Sequence, residues 1–149
     1  MTTPRKKVLV ATDFSPGSDD ALAQAITLAN QMNASLEILH VVELGTQPFP
    51  FGLLDSKDEG DFFAYIERQL ETRAEGARRQ GIPCTVKSLD GNPAAEIVTR
   101  ARDVGADLIV VGTHGRSGLS HALFGSVAEH VVRRADRPVV MVPFTKQAA

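Results

Sequence analysis

The chain has 149 residues, close to the commonest size of a single domain and long enough to bury a real core. Sixteen lysines and arginines stand against eighteen aspartates and glutamates, a formal charge of −2 with no long run of either sign, which argues against a nucleic-acid or membrane-surface partner. Cys84 is the single cysteine, excluding an intramolecular disulfide, a cysteine-rich zinc site and a CxxC redox pair, and no apolar stretch approaches the roughly 18 residues of a spanning helix.

Taken in chain order, short β-branched runs alternate with longer segments of helical period. Lys7–Thr12 (KVLVAT) reads as a first strand. The helix after it opens with Ser15 as a cap, Pro16 in the first helical position and Asp19 and Asp20 in the first turn, and Leu22, Ala25, Ile26, Ala29 and Met32 form its apolar stripe. Leu36–Val42 is the second strand. Glu43–Gly60 reads as a long connection holding two prolines and the aromatic Phe49 and Phe51.

A second helix is expected from about Asp61 to Gln80, with Phe62, Ile66, Leu70, Ala74 and Ala77 on one face and Gly81 closing it. Cys84–Leu89 is the third strand, with its lone thiol packed inertly. Asn92-Pro93 starts a third helix by cap and proline, turning Ile97, Val98 and Ala101 inward. Asp107–Gly112 is the fourth strand, a fourth helix runs from Gly125-Ser126 to about Ala135, and Pro138–Pro143 is the fifth strand.

Strict βα alternation with strands apolar on both faces predicts a parallel sheet covered by helices on both sides, linked by right-handed crossovers. The whole of residues 1–149 is expected to be one cytoplasmic α/β domain with no membrane insertion. In such sheets ligands bind beyond the carboxyl ends of the strands, where the strand order reverses. With order 3-2-1-4-5, strands one and four meet at the reversal and Asp13 faces the stretch beginning at Gly112.

That stretch, VGTHGRSGLSHALFGSVAEHVV, is unusually rich in glycine. Gly112, Gly115 and Gly118 can let backbone N–H groups converge as an anion nest, and the helix opening at Gly125-Ser126 offers a second anion-favouring end. Ser126 adds a hydroxyl and Arg116 a counter-charge, a combination suited to a polyphosphate. The spacing is neither a Walker loop nor a GxGxxG fingerprint. Asp13 can alternatively cap the turn at Ser15. His114 has no second ligand at metal spacing, His40 reads as a satisfied strand histidine, and no serine sits in a GxSxG elbow.

The pattern G-xx-G-(nine residues)-G-S, here Gly112, Gly115, Gly125 and Ser126, resembles the ATP-binding motif of the universal stress protein family. VLVATDFSPGSDDAL is similar to that family's opening, and Gly91–Pro143 is similar to its second half. The resemblance implies a three-layer α/β/α fold of the adenine-nucleotide α-hydrolase-like, Rossmann type, with a five-stranded parallel sheet in the order 3-2-1-4-5. It implies Ala11, Thr12 and Asp13 on the adenosine side, with Asp13 near the ribose or a metal, and Val41 lining the adenine pocket. It further implies Gly112, His114, Gly115 and Arg116 around the α and β phosphates, and Gly125, Ser126 and Val127 around the outer ones.

The implied ligand is ATP, or ADP or AMP, with Mg2+. The implied assembly is a homodimer through Arg137–Phe144, whose apolar edge also needs covering on physical grounds. Two functions follow: a nucleotide-dependent stress-response regulator acting on a protein partner, and an ATP-consuming enzyme. The absence of an evident water-positioning acid or glutamine and of SGGxDS or HxGH signatures favours the regulator, with at most slow hydrolysis; His114, His121 and Glu129 are the residues left open for the enzymatic alternative.

Overall fold

A computed structural model describes residues 5–43, 56–113 and 125–144, with side chains from residue 60 onward in the middle stretch. The elements run β1 (Lys7–Ala11), α1 (Pro16–Met32), β2 (Ser35–Val42), α2 (Ser56–Arg79), β3 (Cys84–Asp90), α3 (Pro93–Val104), β4 (Leu108–Gly112), α4 (Ser126–Arg134) and β5 (Val139–Val142). All strand pairs are parallel and the sheet order is β3-β2-β1-β4-β5, the expected one.

The period-two alternation of the strands divides the apolar residues between two cores. Val8, Val10, Leu36 and Ile38 point toward α1 and α2, meeting Ala21, Ala25, Ile66, Leu70 and Ala74. Leu9, Leu39, Ile109 and Val111 point the other way, onto Ile97, Val98, Ala128 and Val131 of α3 and α4. Val8, Leu9 and Val10 are all fully buried, as a central strand covered on both faces must be.

Local signals set the helix ends. Ser15 Oγ accepts the Ser18 N–H at 3.2 Å with Pro16 in the first turn, and Asn92 Oδ1 accepts the Ala95 N–H at 3.0 Å ahead of Pro93. The one substantial departure is α2, which begins at Ser56 rather than near Asp61. Its polar first turn carries no apolar stripe to reveal it, and the expected connection Glu43–Gly60 is shorter by that turn; Phe49 and Phe51 lie outside the described residues.

One charge is buried in the sheet. Glu37 on β2, with its side chain 4% exposed, is held by a two-pronged bond from Arg100 of α3, with Nε and Nη2 each 2.8 Å from a carboxylate oxygen. Hydrogen bonding to Glu37 raises the Arg100 pKa above its ordinary value. Arg137 just before β5 similarly closes α3, donating to the carbonyls of Ala101 at 3.0 Å and Ala106 at 2.6 Å.

Candidate functional site

β1 and β4 lie side by side, yet β1 leads into α1 on one face of the sheet and β4 is followed by α4 on the other. The connections part at the carboxyl ends of these strands and leave a crevice there. A cavity of about 360 Å3 occupies it. Its lining includes Ala11, Thr12, Asp13, Val41, Gly112, Gly125, Ser126 and Val127, every described residue expected at the site. His114, Gly115 and Arg116 lie outside the described residues, as do Gly118 and His121.

The tip of β1 is held by a hydroxyl cluster. Thr12 Oγ1 and Ser18 Oγ are 3.0 Å apart and buried, and Ser18 Oγ donates to the Ser15 carbonyl at 2.9 Å. Asp13 Oδ1 accepts both the Ser15 N–H, at 3.0 Å, and the Ser15 hydroxyl, so the turn-capping role is present in a residue that also lines the cavity. The chain then turns through Phe14 with φ 67°, a left-handed conformation that costs a bulky residue on the order of 1 kcal/mol or more. The Phe14 ring is fixed by stacking on His40, with centroids 4.4 Å apart, and by the Arg73 guanidinium 5.0 Å from its centroid. Arg73 is in turn anchored to Asp19 at 2.8 Å.

On the opposite wall, Gly125 N–H donates to the Thr113 carbonyl and Thr113 N–H donates to the Val142 carbonyl at 3.0 Å, so the end of β4 and the start of α4 are tied together at one neck beside β5. α4 starts there with Gly125 as its cap residue and no side chain capping it, and Ser126 and Val127 form its first turn at the cavity wall. N–H groups without a capping side chain and the positive end of the helix dipole together favour an anion.

Gly112 needs a separate account. Its backbone is not left-handed; a Cβ there would sit 3.1 Å from the Gly17 carbonyl oxygen of α1, so the close approach of β4 to α1 calls for glycine. Packing against α1 is thus a second reason for glycine at this position, beside its main chain lining the cavity.

Residues 4–143 match the family described as the universal stress protein family. The chain belongs to the universal stress protein family. Universal stress protein MJ0531 of Methanocaldococcus jannaschii is 33% identical over 147 residues, covering 95% of this chain and 84% of that protein. The solved structure of hypothetical protein MJ0577 from the same organism superposes with a TM-score of 0.83 at 26% identity, over 98% of this chain and 100% of that one. A crystal structure of a universal stress protein in complex with cAMP aligns at 30% identity and a TM-score of 0.68, over 96% and 100% of the two chains.

In this universal stress protein the cavity also takes in residues that its sequence did not mark. Pro93, Ile97 and Ala128 form an apolar wall from α3 and α4, and Ser18 and Thr113, each 6% exposed or less, contribute buried hydroxyl groups. His40 is buried at 5% exposure and its Nδ1 lies 2.8 Å from the Thr12 carbonyl, the satisfied strand histidine expected, but at the crevice rather than remote from it. A cap-then-proline start after β1 and after β3 is the sequence signal for Ser18 and Pro93. Cys84 is buried away from the crevice, and burial pushes its thiol up to about 11, which makes it an inert packing group.

Proposed function

We propose that this universal stress protein binds ATP, or ADP or AMP, in the crevice between β1 and β4 and acts in the cytoplasm as a nucleotide-dependent regulator of a stress response. The observation that carries this reading is the cavity of about 360 Å3 at the point of strand reversal, walled on one side by β-strand tips and on the other by a helix start that no side chain caps. An adenine nucleotide asks for that combination: a flat apolar slot with a few main-chain partners for the base, and N–H donors for the phosphates. The 30% identical relative crystallised with cAMP supports the same ligand class.

Val41, Ile97 and Pro93 offer the slot for the base, and Ala11, Thr12 and Asp13 the adenosine side. Gly112, His114, Gly115 and Arg116 would surround the inner phosphates, and Gly125, Ser126 and Val127 the outer ones. Among the described residues no three metal-ligating side chains cluster, so a Mg2+ ion would rest on Asp13 and the phosphates themselves, which is how that ion usually binds nucleotides. A ligand contacting α1, α4 and the neck beside β5 can favour one arrangement of these elements, and a partner protein reading that surface responds to the population shift.

β5 is the sheet edge, and with its outward N–H groups at Val139 and Met141 it suits antiparallel pairing with a second copy, giving a closed homodimer. Among the described residues no helix is long and apolar enough to cross a membrane.

The test is chromatographic identification of nucleotide released when purified protein is denatured, with calorimetric titration of ATP into nucleotide-free protein. Binding at micromolar or tighter affinity, lost in a folded Gly115→Val variant, supports the reading. Absence of adenine nucleotide in both experiments refutes it.

A further inference from the structure

We infer that His40 is a positioning residue for this crevice: its imidazole takes the Thr12 carbonyl, stops the β1–β2 ladder one rung early, and leaves the main-chain N–H of Val41 facing the cavity for the ligand's base. The ladder half of this inference stands on the fold alone, and the ligand half rests on the nucleotide reading.

The rung count follows from the parallel register. Ser35 N–H donates to the Lys6 carbonyl at 2.8 Å where the ladder begins, and Thr12 N–H donates to the Leu39 carbonyl at 2.8 Å near its end. Each rung advances two residues on both strands, so the next bond in the series would run from Val41 N–H to the Thr12 carbonyl. Among the described residues no main-chain bond joins that pair. The Thr12 carbonyl instead meets His40 Nδ1 at 2.8 Å. A carbonyl can only accept, so Nδ1 carries the hydrogen and donates it.

His40 does this from behind the strand. Ile38 and Val42, its alternation partners, belong to the core under α1 and α2, whereas Val41 packs with the core of α3 and α4 that borders the cavity. The imidazole is held in place by its stack on Phe14, which Arg73 covers in turn. Phe14 N–H also donates to Thr12 Oγ1 at 3.0 Å, so Thr12 is gripped at its carbonyl and its hydroxyl while the chain turns away and brings Asp13 to the cavity. A histidine serving only to fill the core would need none of this coincidence at the last rung.

Three measurements test the assignment. In wild-type protein without nucleotide, 15N spectra of histidine should show His40 protonated at Nδ1, and hydrogen exchange should find the Val41 amide much less protected than that of Leu39. An Nε2–H tautomer, or a Val41 amide as protected as Leu39, overturns the inference, and both readings need no variant. His40→Phe keeps the stack and removes the donor, so the vacated carbonyl should accept the Val41 rung: Val41 protection rises and ATP affinity falls about tenfold, the scale of one hydrogen bond. His40→Asn restores a donor near the Nδ1 position and should keep affinity within about threefold of wild type. Affinities that follow the melting temperatures of the two variants, rather than the presence of the donor, indicate a structural role only and refute positioning. Wild-type protein that binds no adenine nucleotide refutes the functional reading and the ligand half, and Val41 exchange still decides the ladder half.

Discussion

Replacing Arg100 with leucine should be among the most damaging single changes outside the apolar core. Glu37 sits on β2, in the interior of the sheet, with its side chain 4% exposed and both carboxylate oxygens bonded to Arg100 at 2.8 Å. Removing the partner of such a buried charge costs about 3–5 kcal/mol, because the remaining carboxylate keeps its desolvation cost and loses its compensation. Arg100 is itself 25% exposed, so water can reach part of the vacated space, and the lower figure of about 3 kcal/mol applies. In a chain of this length each kcal/mol corresponds to roughly 2–4 °C in Tm, giving a fall of about 6–12 °C. Paired denaturant and thermal melts of wild type, Arg100→Leu, Glu37→Leu and the double variant give the interaction energy directly. The double variant should recover most of the loss, since an apolar pair of similar volume removes both desolvation costs. A single Arg100→Leu variant that loses less than about 1 kcal/mol, or a double variant no better than the single, would refute the account of Glu37 as a charge held only by this pair.

Gly112→Ala places a methyl 3.1 Å from the Gly17 carbonyl oxygen, and since helix backbone must give way the cost should be about 1 kcal/mol and 2–4 °C in Tm; an unchanged melt rules out the packing explanation. With the Cys84 thiol raised from 9.0 to about 11 chiefly by burial, the unfolded chain ionises first, so stability should fall as pH rises from about 9 to 11 and that slope should vanish in Cys84→Ala. Met141→Pro removes an outward-facing N–H of the edge strand without touching the β4 ladder; light scattering should find wild type dimeric and this variant monomeric, a monomeric wild type refutes the dimer, and a dimer that survives the substitution is not built on this edge. ATP turnover by purified protein should lie far below the typical enzyme value of about 10 per second, and fast Mg2+-dependent turnover lost on changing His114, His121 or Glu129 would favour the enzymatic alternative.

Much of the fold was legible in the order of residues. Val8-Leu9-Val10, apolar on both faces, announces a central parallel strand, and Ser15-Pro16 and Asn92-Pro93 announce helix starts that the structure reproduces to the residue. These signals are local: propensity, capping and periodicity act over a few residues, and they survive into the folded state because packing agrees with them. Where the local signal was weak, at the polar first turn of α2, the boundary was misplaced by five residues. Of the family motif, Gly112, Gly125 and Ser126 fall among the described residues, and all three line the crevice.

What the sequence could not display is set by contacts between residues far apart along it. That a side chain at Gly112 would crowd its surroundings depends on Gly17, ninety-five positions earlier, whose carbonyl arrives only when α1 packs across β4. That Glu37 is tolerated in a buried strand depends on Arg100, 63 residues away, reaching it from α3. His40 alone reads as an ordinary strand histidine; its bond to the Thr12 carbonyl joins residues 28 positions apart and is visible only once β1 and β2 are paired. Sequence determines which segments become strands and helices and at which end of the sheet the crevice opens. Only the close-packed tertiary structure decides which side chains hold that end open, since a contact of about 3 Å between distant residues has no counterpart in local periodicity.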